Sequence, residues 1–166
     1  MPTEFTSDII TPELLQTLRA QYRLNWDGVH GYAHWLRVRE NGLRLAELTG
    51  ANPRVVELFA FLHDICREND IIDPGHGQRA ADFAAELPYV RQILTKDELR
   101  LLRVACAGHT RGFTRADITV QVCWDADRLD LGRIGIHPVP ERLCTEPARR
   151  AEFIAWAYQS SRASLP

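Results

Sequence analysis

The sequence predicts an all-α fold, a compact bundle of six or seven helices in a single domain spanning residues 1–166. Three observations support this class. Apolar residues recur at helical spacing in several segments, helix start and stop signals separate those segments, and strand signals are weak throughout. A chain of this length is large enough to bury one substantial core.

Composition and charge restrict the possible functions. The chain is 45% hydrophobic and 25% charged, with a net charge of −2, which is ordinary for a globular protein and argues against a dedicated nucleic-acid surface. No apolar run is long enough to span a bilayer, and no signal peptide is visible. The four cysteines are scattered without a CxxC pair, so we expect reduced, buried thiols in a cytoplasmic protein.

The first two helices are marked by their ends. Thr11 supplies an N-cap hydroxyl and Pro12 a first helical residue, so a helix over residues 12–22 is expected. A polar loop follows, and a long amphipathic helix then runs from Tyr32 towards Gly50, whose missing Cβ suits a helix end. The expected core residues of this second helix are Leu36, Leu43, Leu45, Ala46 and Leu48.

A third segment, beginning near Pro53, is too uniformly apolar to be a surface helix and is predicted to be buried on most sides. It ends at His63 and Asp64, which places an imidazole beside a carboxylate inside the bundle. A buried carboxylate without a partner is costly or becomes protonated. We therefore expect a cation against Asp64, either an arginine or a metal ion.

Further helices are predicted over residues 76–88, 95–109, 115–131 and 147–160. Thr95 and Glu98 have the spacing of a capping box. Residues 117–122 alternate in polarity and contain β-branched side chains, so propensity alone would permit a strand there. Helix is preferred, because Thr114 offers an N-cap and every neighbouring segment is helical.

Several polar residues fall near helix ends or on faces expected to be buried. Each taken alone is most simply a core or boundary residue, or the partner of a surface arginine. Together they offer the imidazole and carboxylate donors that divalent metals bind. Spacing alone leaves both interpretations open. The residues are His34, His63, Asp64, His76, His109 and Asp127. His30 would share a face with His34 if that helix extended back far enough.

The order of these residues resembles the HD-domain superfamily of metal-dependent phosphohydrolases. The resemblance is carried by His34-x-x-Arg37-Val38, by His63-Asp64, and by Asp127 within Asp125-Ala126-Asp127-Arg128-Leu129. It covers about residues 27–131 and leaves 132–166 as a C-terminal helical extension with a packing or substrate-entry role. Many members have Gly-Lys after His-Asp-Ile, where this chain has Cys66-Arg67.

The resemblance implies a helical bundle that binds one or two divalent ions, with Fe, Mn, Co, Ni or Mg as candidates. One ion would be held by His34, His63, Asp64 and Asp127, with Asp125 as the competing choice for the last ligand. In a subset of the family two more histidines hold a second ion, here His76 and His109, and the aspartate of the His-Asp pair bridges.

The implied activity is hydrolysis of a phosphate ester of a nucleotide or another small phosphorylated metabolite. Asp64, Arg67 and His30 are the predicted catalytic residues. Arg37, Arg67 and Arg128 are candidates for binding the phosphate, although Arg37 and Arg128 could instead support the ligands. The aromatic residues Trp26, Tyr32, Trp35 and Trp124 are assigned to core packing or to a stacking wall for a base.

Two other functions stay open at the level of sequence. Some proteins of this fold are di-iron oxygenases, and the six-residue donor set would suit iron. A non-catalytic module that binds a nucleotide or a partner protein is the third possibility.

Overall fold

A computed structural model of the protein describes residues 7–163. Within these residues the secondary structure is helical, and no strand is present. The predicted all-α class is therefore confirmed. The α-helices are α1 (Pro12–Gln21), α2 (Tyr32–Thr49), α3 (Pro53–Leu62), α4 (His76–Glu86), α5 (Pro88–Ile93), α6 (Lys96–Gly108), α7 (Ile118–Arg128), α8 (Glu146–Arg149) and α9 (Ala151–Arg162). Short 3-10 helices cover Leu131–Ile134 and Pro140–Arg142.

The predicted helix ends on α1, α2 and α6 are confirmed by their hydrogen bonds and backbone angles. The Thr11 hydroxyl accepts a hydrogen bond from the backbone N–H of Leu14. Thr95 and Glu98 form the reciprocal capping box at the start of α6. Gly50 adopts a left-handed conformation, with φ of 77°, and ends α2.

Two predicted helices differ in their bounds. Helix α7 begins at Ile118, and its N-cap is Asp117, which accepts a hydrogen bond from the backbone N–H of Thr119. The expectation that Thr114 caps this helix was wrong, and residues 117–122 form no strand. The last predicted helix is broken into α8 and α9 because Arg150 has an extended backbone.

Helix α3 lies at the centre of the bundle and packs against α2, α6 and α7. Eight consecutive residues of α3, 55–62, are buried, as its uniform apolar sequence predicted. On α2, Leu45 and Ala46 are buried, but Leu48 was wrongly expected in the core and is 55% exposed near the end of that helix. Because α3 is surrounded, the residues at its C-terminal end are inside the protein.

Helices α4 and α6 approach each other closely at Gly77. A Cβ atom at Gly77 would lie 2.5 Å from the carbonyl oxygen of Cys106 and 3.2 Å from Nδ1 of His109. Only glycine fits at this distance. The close approach brings His76 of α4 next to His109 at the end of α6.

The cysteines and aromatic residues are mainly packing residues. All four thiols are free, and Cys106, Cys123 and Cys144 are buried while Cys66 is half-buried. Trp35 and Trp124 are buried in the core. The rings of Trp26 and Tyr32 stack on each other, with centroids 5.2 Å apart. Among the described helices, none combines the length and apolar character that crossing a membrane requires.

Candidate metal centre

Side chains from α2, α4 and α7, from the turn after α3 and from the end of α6 converge at one place in the bundle. They form two adjacent groups, within each of which the donor atoms lie no more than 4.8 Å apart. The first group is His34, His63 and Asp127, and the second is Asp64, His76 and His109. All six residues predicted from the sequence as ligands are thus brought together.

In the first group, two imidazoles and a carboxylate face one another. Nε2 of His34 lies 3.1 Å from Nε2 of His63. Oδ1 of Asp127 lies 3.4 Å from Nε2 of His34 and 3.6 Å from Nε2 of His63. These atoms surround a point within reach of all three side chains.

The second group is built in the same way around Asp64. Oδ1 of Asp64 lies 3.0 Å from Nε2 of His76 and 3.5 Å from Nε2 of His109. The two imidazole nitrogens are 2.9 Å apart. The other oxygen of Asp64, Oδ2, lies 3.7 Å from Nε2 of His34 and 3.6 Å from Nε2 of His63. Asp64 therefore presents one oxygen to each group, as a bridging carboxylate would.

The tautomers of the four histidines follow from their outer hydrogen bonds. Nδ1 of His63 faces the backbone carbonyls of Phe59 and Ala60, and Nδ1 of His109 faces that of Cys106. Nδ1 of His76 likewise faces the carbonyl of Asp73. A carbonyl only accepts, so each of these Nδ1 atoms carries the proton.

The ring of His34 is held in the same tautomer by a carboxylate. Its Nδ1 lies 2.6 Å from Oδ2 of Asp130. Burial raises the pKa of Asp130, but the hydrogen bond from His34 and the charge of Arg37 outweigh it, and the net pKa is lowered. An ionised carboxylate must receive the proton, which leaves the Nε2 lone pair of His34 directed inward.

Four imidazole lone pairs thus face one another in two close pairs. Two acceptor nitrogens about 3 Å apart repel each other unless a cation lies between or beside them. Neutral imidazole and carboxylate are the donors that divalent transition metals prefer. The residues present therefore fit a metal centre, with a place for one ion in each group.

The electrostatics of the centre keep its carboxylates ionised and one imidazole neutral. Burial alone would raise the pKa of Asp64, but His63, His109 and neighbouring imidazoles outweigh it and hold that pKa well below its usual value. The pKa of Asp127 is lowered in the same way, chiefly by His34. Burial lowers the pKa of His63 to about 3, so this ring stays unprotonated and able to bind a metal near neutral pH.

The HD domain family model matches residues 31–132, about three fifths of the chain and all six candidate ligands. The chain belongs to the HD-domain family. A solved structure of a predicted HD superfamily hydrolase from an uncultured Thermotogales bacterium is similar, with a TM-score of 0.70 and 25% sequence identity. The similarity covers 90% of this chain and 86% of that chain. A search of curated proteins found no significant match.

Next to the candidate ligands of this HD domain, Asp130 and Arg37 hold the ring of His34 in place. Nε of Arg37 donates to Oδ1 of Asp130 at 2.7 Å, and Nη2 donates to Oδ2 at 3.2 Å. Sequence reasoning missed Asp130. Its signal was its place three residues after Asp127, just beyond the end of α7, together with a buried histidine that needed an acceptor. Such partners fix the orientation and basicity of a ligating imidazole.

His30 and Arg67 both contact the carboxylate of Asp64. His30 lies in the turn before α2 rather than on the helix, and its Nδ1 is 3.1 Å from Oδ2 of Asp64. Its Nε2 is 3.3 Å from the carbonyl oxygen of Asp70. Nη1 of Arg67 lies 3.6 Å from Oδ1 of Asp64 and 3.2 Å from Nε2 of His76. Both predicted catalytic residues are buried at the centre.

Asp125 and Arg128 lie on α7 but face the C-terminal segment. Oδ1 of Asp125 accepts a hydrogen bond from the backbone N–H of Cys144 at 2.6 Å, and Oδ2 accepts two from Thr145. Asp125 is therefore committed elsewhere, and Asp127 is the aspartate at the centre. Arg128 donates to the carbonyls of Phe113 and Arg142, and a phosphate-binding role for Arg128 or Arg37 stays a prediction.

A cleft of about 640 Å³ lies beside the second ligand group, and His109 is one of its lining residues. Its outer wall is built by the 3-10 helices and the loop between them, in the segment expected to serve packing or substrate entry. Of the described residues that line this cleft, none is one of the four aromatic residues considered from the sequence as a stacking wall.

Proposed function

We propose that the protein is a metal-dependent phosphohydrolase that cleaves a phosphate ester of a nucleotide or another small phosphorylated metabolite. The observation that carries this proposal is the convergence of four inward imidazole lone pairs on the two oxygens of Asp64. Membership of the HD-domain family and the similarity to a predicted hydrolase support the same activity.

When bound, a divalent ion supplies a Lewis acid for a phosphoryl oxygen and lowers the pKa of a water molecule. Hydrolysis forms a bond from the water oxygen to phosphorus and breaks the bond from phosphorus to the ester oxygen, which leaves as an alcohol after taking a proton. In this proposal, His34, His63, Asp64 and Asp127 hold one ion, and Asp64, His76 and His109 hold the other.

Arg67 is the best placed of the three predicted phosphate-binding arginines. Its guanidinium is buried beside Asp64 and His76, so it can donate to a phosphoryl oxygen positioned at the second group. Arg37 and Arg128 already donate to protein oxygens. In this proposal Arg37 positions His34 through Asp130, and Arg128 holds the wall of the cleft through its hydrogen bond to Arg142.

His30 is suited to donate the proton that the leaving alkoxide needs. Its two nitrogens face a carboxylate oxygen of Asp64 and a carbonyl oxygen of Asp70, and both of these atoms only accept. Because neither partner can donate, the imidazole supplies the N–H of each hydrogen bond that it forms there. Such an N–H beside the centre is positioned to pass a proton to a leaving oxygen.

We also infer that residues 132–163 belong to the same domain as the centre, because Asp125 binds their backbone directly. The four free thiols support a reducing, cytoplasmic location.

The test begins with metal analysis of protein purified without chelator. The protein is then assayed for phosphate release across a broad panel of phosphate esters, with Mn, Co, Ni, Mg or Fe supplied. Metal-dependent phosphate release supports the proposal. A visible absorption spectrum of anaerobically purified, iron-loaded protein that changes with oxygen, with no phosphate release, would instead indicate a di-iron oxygenase. Absence of turnover in every assay would favour a binding module.

A further inference from the structure

The cleft beside the second ligand group is lined mainly by residues that the family match does not reach. The HD domain model ends at residue 132, whereas the outer wall of the cleft comes from residues 136–143. Family membership therefore says nothing about what this wall recognises. The kind of substrate that this wall recognises must be inferred from its own side chains.

The apolar part of the cleft lining is aliphatic. Of the described residues that line it, none is acidic, and none is Phe, Tyr or Trp. The only aromatic rings in the described lining are imidazoles: His109 belongs to the second ligand group, and His137 packs against Tyr158, with ring centroids 4.4 Å apart. The apolar residues of the lining are Leu131, Ile136, Pro138, Val139 and Leu143.

The charged groups of the cleft are of one sign. Arg128 and Arg142 line it, and no carboxylate balances them among the described lining residues. An anion that carries an apolar body matches this combination, because the cations favour its charge while the walls exclude water from its hydrocarbon part. The volume of about 640 Å³ lies within the usual range for sites that bind small molecules.

The wall is held in place by hydrogen bonds on both of its sides, and those to Asp125 are buried. Arg128 donates from Nη1 to the carbonyl of Arg142 at 2.9 Å and from Nη2 to that of Phe113 at 2.7 Å. Just beyond the wall, Asp125 accepts hydrogen bonds from Cys144 and Thr145. A preformed apolar wall loses less entropy on binding than a mobile loop would.

We propose that the substrate is a phosphate ester of an aliphatic alcohol, whose hydrocarbon body lies in this cleft against Ile136 and Val139. Only the position of its phosphate, at Asp64 and the two ligand groups, rests on the proposed function. The aliphatic character of the substrate is inferred from the apolar side chains that line the cleft. The described lining offers a nucleobase no Phe, Tyr or Trp ring to stack on, so nucleoside phosphates should bind more weakly.

The test measures binding rather than turnover, using phosphonates that cannot be hydrolysed. Isothermal titration of Mn²⁺-loaded protein compares methyl-, butyl- and hexylphosphonate with the phosphonate analogue of AMP. Each buried methylene is worth up to about a fourfold decrease in Kd. We expect butylphosphonate to bind at least about tenfold more tightly than methylphosphonate, and more tightly than the nucleotide analogue.

Val139→Asp and Ile136→Asp introduce a charge at positions that are 41% and 49% exposed, so neither should prevent folding. Each should abolish the gain from chain length while leaving methylphosphonate binding unchanged. Leu48→Asp, at an exposed position of α2 outside the cleft, is the matched control and should keep the full gain.

A chain-length gain that survives Val139→Asp, tighter binding of the nucleotide analogue, or no phosphonate binding at all would overturn the inference. If the aliphatic phosphonates bind as expected but no phosphate ester is hydrolysed, the proposed function fails while the cleft assignment stands. The two proposals are thus separated by the same set of proteins.

Discussion

The two ligand groups of the centre share Asp64 but differ in charge. The first group adds Asp127 to two imidazoles, so a cation there meets two carboxylates. The second group has only the other oxygen of Asp64 with its two imidazoles, and the Arg67 guanidinium already lies 3.2 Å from Nε2 of His76.

This difference predicts that the two proposed ions would bind with unequal affinity. Each carboxylate lowers the free energy of a nearby cation, while a guanidinium at the same distance raises it. The first group should therefore hold its ion more tightly than the second. A metal ion in the second group would replace Arg67 as the partner of His76. An anionic substrate that draws Arg67 away from His76 should therefore change the metal affinity of the second group more than that of the first.

The largest effect should come from Asp64→Ala, because this residue serves both groups. We expect loss of both ions and a fall in phosphate release of about 1000-fold or more, since the metal contributes several kcal/mol to the reaction. Metal content is measured by mass spectrometry. Asp82→Ala removes an exposed carboxylate paired with Arg103 and should change neither quantity. Normal metal content in Asp64→Ala would show that the groups do not share this ligand.

His34→Ala removes an imidazole from the first group, and His109→Ala removes one from the second. The two variants allow the metal affinities of the groups to be compared. His109→Ala should lose only the second ion, whereas His34→Ala should lose the first. We expect each affinity to fall by at least about 100-fold, because even outer partners of ligands are worth 10–100-fold. The measurement is metal stoichiometry by equilibrium dialysis. If His109→Ala leaves both stoichiometry and rate unchanged, the two-ion proposal is wrong.

Asp130→Asn tests the support behind the first group. A neutral amide oxygen accepts the hydrogen bond from Nδ1 of His34 more weakly than the carboxylate does. The His34 ring is then less firmly oriented, and its Nε2 is less basic. We expect the affinity for the first ion to fall by about 10–100-fold while the second is retained. Asp125→Asn, at a buried aspartate on α7, is the matched control. It should leave metal content unchanged but lower the free energy of unfolding by about 1–3 kcal/mol, because it leaves Cys144 and Thr145 poorly paired.

Arg67→Met should have the smallest effect and the opposite sign on metal binding. Removal of the guanidinium beside His76 takes a positive charge away from the second group, so its ion should bind about tenfold more tightly, or about 1.4 kcal/mol. The same variant should raise KM for a phosphate ester, because a phosphate donor is lost. Titration with Mn²⁺ and steady-state kinetics measure the two effects. Weaker metal binding in Arg67→Met would remove the reason for ranking the groups.

Much of the fold was predictable because its signals are local. Caps such as Thr11 and the Thr95–Glu98 pair depend on residues within one turn, and both are confirmed. The buried character of α3 was readable from its unbroken apolar sequence. The start of α7 was misplaced because Thr114 and Asp117 both suit an N-cap, and only the tertiary structure decides which backbone N–H groups remain unpaired.

The centre was predictable in its members but not in its arrangement. Asp125 and Asp127 lie two residues apart on one helix, and sequence could not show which of them the C-terminal segment would engage. The position of His30 outside α2 and the role of Asp130 also depend on contacts across 34 and 96 residues of chain. The cleft was unpredictable because its wall comes from irregular structure without a periodic pattern.

In the proposed arrangement, the hydrogen bonds from Cys144 and Thr145 to Asp125 separate two tasks within one small protein, which are catalysis at the centre and substrate recognition at the cleft. Asp125 anchors the chain directly after Leu143, the last residue of the cleft wall, and it lies two residues before Asp127 on α7. A chimaera could exchange residues 133–143 for those of another protein and keep this anchor. The substrate that the wall selects could then change while the reaction at the centre stays the same. One scaffold could in this way serve many metabolites.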